Sequence, residues 1–342
     1  MAPLSTAVQS RFMHETKGAD GAPVYVYDGI IDPEWSFMDN AVGGYVVAMT
    51  LEAVARHQQK ARHPDPVHVT AHFLSNTVPG PYEIHVRLIK AGKGTFTTLS
   101  ASFWQKGQER VRAHTVFGDL TTRENRKSTR PDMAIDPLSL YAAQSPVQTH
   151  PSKCPLIPEQ PKWLYIEALD TGRMKVARDP IYDKSLWKPG PMEVCNYITI
   201  GDEDEAITPS MLPFFADIFL PFAAKNPKLP SWTFWTPTIV FSLEFKHPLP
   251  KPDSKYHSLR TVAAYHRGKF FNEPHGRQET YMEIWTAPAN IGDSPDTELE
   301  GWRDQQRCLA IAHQLNIMVD IDSMPGGGRH KLKPMNWTRP KL

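Results

Sequence analysis

One order of local patterns occurs twice along this 342-residue chain, and whatever fold it adopts must accommodate that order twice. The first instance begins with GGYVVAMTLEAVARHQQK at 43–60, where apolar side chains recur at helical spacing. A Gly pair opens this run and basic residues close it, which suits the helix macrodipole. Four strand-like runs follow: VHVTAHFL, YEIHVRLIKAG, TFTTLSASFWQKG and RVRAHTVFGDL. They alternate or are rich in β-branched and aromatic residues, and turn residues such as VPGP, GKG and KGQ separate them. In the second instance MEVCNYITI precedes the apolar segment PSMLPFFADIFLPFAA. TPTIVFSLEF, HSLRTVAAYH, ETYMEIWTAP and RCLAIAHQLNIMV come after it. Laying HFLSNTVPG over EFKHPLPKP sets the copies about 172 residues apart. Sequence identity between them is poor, so the repeat rests on element order and spacing. The implied class is α+β: a helix wrapped by a curved antiparallel sheet, present twice. Two such units can pair their sheets edge to edge and cover exposed strands.

This pattern divides the chain into an N-terminal unit at 1–130, a Pro-rich linker at 131–165, a C-terminal unit at 166–322 and a basic tail at 323–342. Of the 32 prolines many fall between about 131 and 190, as in HPSKCPLIPEQPKW, and they mark a long connection. ANIGDSPDTELEG at 289–301 reads as an insertion between strands, and GDEDE at 201–205 as a solvated acidic loop. With a formal net charge of +1, the chain has no global field favouring nucleic acid or an anionic membrane. Cys154, Cys195 and Cys308 are widely spaced, with no CxxC pair, so a reducing compartment and no zinc site are expected. No signal-peptide core and no run of about 18 apolar residues occurs, so no membrane span is expected. GxSxG, HExxH, Walker A and GxGxxG motifs are absent. That disfavours Ser-His-Asp hydrolases, metalloproteases, NTPases and dinucleotide enzymes, and no cofactor or metal is implied. The His68/His72 pair on one strand face reads as packing or surface.

Within PFFADIFLP at 213–221, one carboxylate, Asp217, stands among apolar neighbours. Burial of an unpartnered carboxylate costs several kcal/mol, so Asp217 must be paired, open to a cleft or kept for chemistry. Several strings now resemble those of the double hot-dog acyl-CoA thioesterases, the family of bacterial thioesterase II. GGYVVAMTLEAV is similar to the Gly-Gly opening of that family's helix, and HVTAHFLSNTVPGP to the strand after it. ADIFLP resembles its aspartate ahead of Leu-Pro, TIVFSLEFKHP its second-copy strand, and AHQLN its final-strand glutamine. The resemblance implies a tandem hot-dog fold and a catalytic Asp217, Thr238 and Gln314 around one water, with Glu244 and Lys246 departing from the family's strand end.

The residues support such a role on chemical grounds. Thioester hydrolysis needs a positioned water, an acceptor for its proton and a donor for the oxyanion. A partly desolvated carboxylate accepts the proton, while a hydroxyl and an amide fix the water. Backbone N–H groups at a helix start, with Gly43 and Gly44 as candidates, can meet the oxyanion. Taken singly, Thr238 is an ordinary strand threonine, Gln314 a strand-surface amide and the Gly pair a tight helix start. Phe214, Phe215, Phe219 and the Trp232/Trp235 cluster either narrow a substrate tunnel or form simple core, and Phe215 and Trp235 are taken as substrate-binding. In the overlay Asp217, Thr238 and Gln314 fall opposite Tyr45, Pro66 and Phe117, so one active site per chain is expected. The resemblance implies an acyl-CoA substrate, and a homodimer of double hot-dogs stays open. So does a non-hydrolytic scaffold that binds or cyclises a polyketide-like acyl intermediate. The C-terminal Pro340-Lys341-Leu342 resembles a variant Ser-Lys-Leu address, so the expected location is peroxisomal or cytoplasmic.

Overall fold

The structure, a computed structural model, describes residues 2–37, 39–92, 94–120, 141, 144–157, 166–182, 190–201, 204–219 and 234–320. The first copy contains β1 (Arg11–Lys17), β2 (Pro23–Ile31), α1 (Gly43–Gln58), β3 (Asp65–Phe73), β4 (Gly80–Lys90), β5 (Thr97–Gln105) and β6 (Gln108–Gly118). The second contains β7 (Met174–Arg178), β8 (Met192–Ile200), α2 (Leu212–Ala216), β9 (Thr238–Phe245), β10 (Thr261–Gly268), β11 (Arg277–Thr286) and β12 (Cys308–Asn316). All twelve strands lie in one antiparallel sheet in the order β1-β2-β4-β5-β6-β3-β9-β12-β11-β10-β8-β7. The copies join at its middle, where β3 pairs with β9 and Thr70 stands opposite Ser242. Those two positions are 172 apart, the offset read from the sequence.

Alternation produces this arrangement. Along β5 every second residue is buried, and Leu99, Ala101 and Phe103 face α1 together with Val69, Ala71 and Ile84. The inner faces of both copies share one core, in which Phe214 packs edge-on against Trp35 and Tyr45. β8 departs from alternation and is buried almost throughout, because both its faces are covered. Its outer face, with Cys195 and Tyr197, carries a second core closed by Val147, Cys154, Ile291 and Trp302. The insertion at 289–301 does lie between strands, β11 and β12, and supplies part of that cover.

Three expectations change. β1 and β2 were not expected from the pattern; β1 is exposed along its whole length, so it carries no hydrophobic period to read. GDEDE is not wholly solvated: Glu205 is buried and its carboxylate accepts from the Ser5 N–H at 2.6 Å. Glu244 and Lys246 form an ion pair at 2.6 Å at the end of β9, and neither lines the cleft described below. Most of the linker, Trp232 and the whole basic tail with Pro340-Lys341-Leu342 lie outside the described residues.

Candidate active site

Asp217 ends α2. A 3-10 turn at Pro209–Met211 leads into α2, with Pro213 in the first turn where its missing N–H is harmless. The helix then stops after five residues, and Asp217 turns its side chain toward the start of α1 in the other copy. There the Gly44 N–H donates to Asp217 Oδ2 at 2.7 Å, a charge-assisted bond. Gly44 permits this approach because a Cβ at that position would collide with the Pro213 carbonyl oxygen and with Asp217 itself. The Gly pair is therefore more than a tight helix start: it lets two helices from two copies meet.

Thr238 and Gln314 join Asp217 through the sheet. On β9 the buried side chains are Phe241, Leu243 and Phe245, so strict alternation would turn Thr238 outward. A register shift between Thr238 and Val240 resets the phase and brings Thr238 to the inner face. Its hydroxyl lies 3.5 Å from Asp217 Oδ1 and 3.2 Å from Gln314 Oε1, so its one proton can be given to either. Gln314 Nε2 donates to the Ala216 carbonyl at 2.9 Å, satisfying an orphan acceptor at the end of α2. Beneath them lies Asn316, opposite Thr238 across the strand pair. Its amide donates to Thr238 Oγ1 at 2.8 Å and its oxygen accepts from the Thr280 hydroxyl at 3.0 Å. Sequence reasoning missed Asn316, although it stands two residues after Gln314 and so on the same strand face.

Burial pushes the Asp217 carboxyl up from 3.8 to about 6, against the bonds from Gly44, Gln314 and Thr238 that hold it down. The side chain is packed on most sides yet keeps partial exposure toward a cleft of about 260 Å³. Asp217 and Thr238 line this cleft with Gly43, Asn40, Phe73 and Trp235. Such a carboxylate is ionised at neutral pH and more basic than an exposed one. The structure therefore brings together Asp217, Thr238, Gln314 and Gly44, and sets Gly43, Phe219 and Trp235 on the cleft wall. Phe214 and Phe215 are instead fully buried against one another in the core and do not line the cleft. Among the described residues no group of three or more His, Cys, Asp and Glu side chains is placed to hold a metal ion, and no helix is long and apolar enough to cross a membrane.

Comparison with known proteins adds the following. Residues 31–118 match the model of the acyl-CoA thioesterase N-terminal domain. A stretch of 69 residues is 35% identical to the ustilagic acid biosynthesis cluster protein orf2 of Mycosarcoma maydis, covering 20% of this chain and 18% of that protein. Among solved structures, a hot-dog protein of unknown function from Alicyclobacillus acidocaldarius superposes with a TM-score of 0.66 at 17% identity, over 93% of this chain and 98% of that one. A protein assigned to thioesterase II from Thermobifida fusca gives 0.64 at 18% identity with the same two coverages, 93% and 98%. An acyl-CoA thioesterase II of Mycobacterium marinum gives 0.57 at 13% identity, again over 93% and 98%. These likenesses show the fold, a tandem hot-dog.

Proposed function

We propose that this double hot-dog chain, whose first copy matches an acyl-CoA thioesterase N-terminal domain, hydrolyses an acyl-CoA to free acid and CoA by direct attack of water. The observation that carries the reading is the contact of Asp217 with Thr238, Gln314 and the Gly44 N–H at the edge of the cleft. Water bound among Asp217, Thr238 and Gln314 gives its proton to Asp217 as its oxygen attacks the thioester carbonyl carbon. Electrons of the C=O bond move to oxygen, and their return expels the thiolate, a good leaving group that needs little acid assistance. Gly44 was a candidate for the oxyanion, but its N–H is bonded to Asp217 and serves to orient the base.

The reading is tested with a panel of acyl-CoAs and a free-thiol readout. Asp217→Asn, which keeps shape and removes the base, is expected to lower turnover by about a hundredfold or more. Thr238→Ala and Gln314→Ala are expected to cost less singly and not to add, because they hold the same water. Full activity in a folded Asp217→Asn protein would exclude this mechanism.

A further inference from the structure

Asn40 stands three residues before α1, on a two-residue strand, Asn40–Ala41, that pairs with Ser36–Phe37. It lines the same cleft as Asp217, Gly43 and Thr238, and the residue is only 3% exposed. The amide is held in one orientation, because Asn76 Nδ2 donates to Asn40 Oδ1 at 3.0 Å. The strand is pinned beside the same loop by the Ala41 N–H, which donates to the Thr77 carbonyl at 3.0 Å. The oxygen is thus committed, while Asn40 Nδ2 is a buried donor with no partner among the described residues. Buried donors without acceptors are uncommon and destabilising, so the missing acceptor is one that a ligand can bring.

That acceptor has a natural identity at this site. Asp217, Thr238 and Gln314 address the water, and Gly44 addresses Asp217. Gly43, which lines the same cleft, opens α1, and its N–H has no partner within the helix. One backbone donor is a thin oxyanion site, and such sites ordinarily combine at least two donors. We propose that Asn40 Nδ2 and the Gly43 N–H together hold the thioester carbonyl oxygen, which makes Asn40 a catalytic residue contributed by the first copy. This rests on the thioesterase reading. As water attacks, the C=O electron pair moves onto the oxygen facing Asn40. When the pair returns, the C–S bond breaks, and the proton taken by Asp217 is released to the thiolate or to solvent.

The experiment compares wild type with Asn40→Ala, Asn40→Asp and Asn76→Ala on one acyl-CoA, separating kcat from KM. Removing a single oxyanion donor typically costs a hundredfold or more in turnover, so Asn40→Ala should lose about that in kcat with KM within a few fold. Asn76→Ala, which only frees the amide to rotate, should fall between the two. Asn40→Asp keeps the shape and settles the matter if the alanine variant fails to fold. Its kcat relative to wild type should fall as pH rises, because an ionised carboxylate repels the oxyanion and a protonated one still donates. A merely structural Asn40 would show no such pH-dependent ratio. A folded Asn40→Ala enzyme with kcat within threefold of wild type overturns the proposal, as does an Asn40→Asp enzyme that stays within threefold at pH 8, or a loss confined to KM. If wild type hydrolyses no acyl-CoA, or Asp217→Asn stays fully active, the thioesterase mechanism itself fails, a result separable from these.

Discussion

Asp217 sits where two fields oppose one another. It follows the carbonyl end of α2, which disfavours a negative charge, and faces the amide end of the sixteen-residue α1, which favours one. Burial outweighs the favourable contacts, so the carboxyl is raised from 3.8 to about 6. The folded protein then binds more protons than the unfolded chain between those values, and stability falls as pH climbs through that window and levels off above it. A shift of about two units corresponds to about 3 kcal/mol, which partial exposure to the cleft should reduce to about 1–2 kcal/mol. Asp217→Asn should therefore be more stable than wild type by about that amount at pH 7.5 and lose the advantage near pH 4, as read by urea unfolding at both values. If Asp217 is the base, the wild-type kcat/KM should rise with pH through a midpoint near 6 and level off about one unit above it, since the carboxyl must be ionised. A flat profile from pH 5 to 8 would exclude Asp217 as the base. The sequence made this residue conspicuous because charge inside PFFADIFLP has to be accounted for. Its partnership with Gly44 was not legible, since a contact across 173 positions leaves no local pattern.

At the level of elements, legibility follows periodicity. α1 and β3–β6 show clear period and appear within a few residues of the expected places. β1 has no buried face, and β8 has two, so neither displays the half-buried alternation that marks a strand. Thr238 shows the opposite problem: it lies in a well-marked strand, but simple alternation assigns it to the wrong face, and only the register shift brings it inward. The meeting of α1 with α2 was also invisible, because a glycine pair announces flexibility as readily as close approach. Gly44→Ala tests that contact. Its methyl would press on Pro213 and Asp217, so a loss of about 1–3 kcal/mol is expected from overpacking. Activity should fall further than stability explains, because Asp217, the proposed base, moves with the helix. A Gly44→Ala protein with unchanged melting temperature and turnover would show that the helices have room to part.

For the molecule as a whole, the two copies are neither beads on a string nor loosely docked. One continuous sheet and one inner core cross from the first to the second. Buried Glu34 of the first copy binds the second through the Thr171 hydroxyl at 2.6 Å and the Arg173 guanidinium at 3.1 Å. Removing one partner of such a buried pair commonly costs about 3–5 kcal/mol. A chain cut to its first 120 residues would expose the β3 edge and the face of α1 that packs on α2. It should aggregate or self-pair in place of forming a stable monomer, which size-exclusion chromatography would read directly. A well-dispersed, monomeric, cooperatively unfolding fragment would contradict this.

The meeting of Gly44 with Asp217 also constrains how such a chain can change over time. The residue that permits the approach and the residue that makes it lie in different halves of one polypeptide, 173 positions apart. At the position that the sequence overlay sets opposite the acid, the first half has Tyr45, which is buried with its hydroxyl donating to the Ala7 carbonyl at 2.9 Å. The two halves are bound to a common inheritance. A recombinant that joins this second half to a first half lacking the paired glycines would hold every group of the trio and still be unable to bring the acid into place.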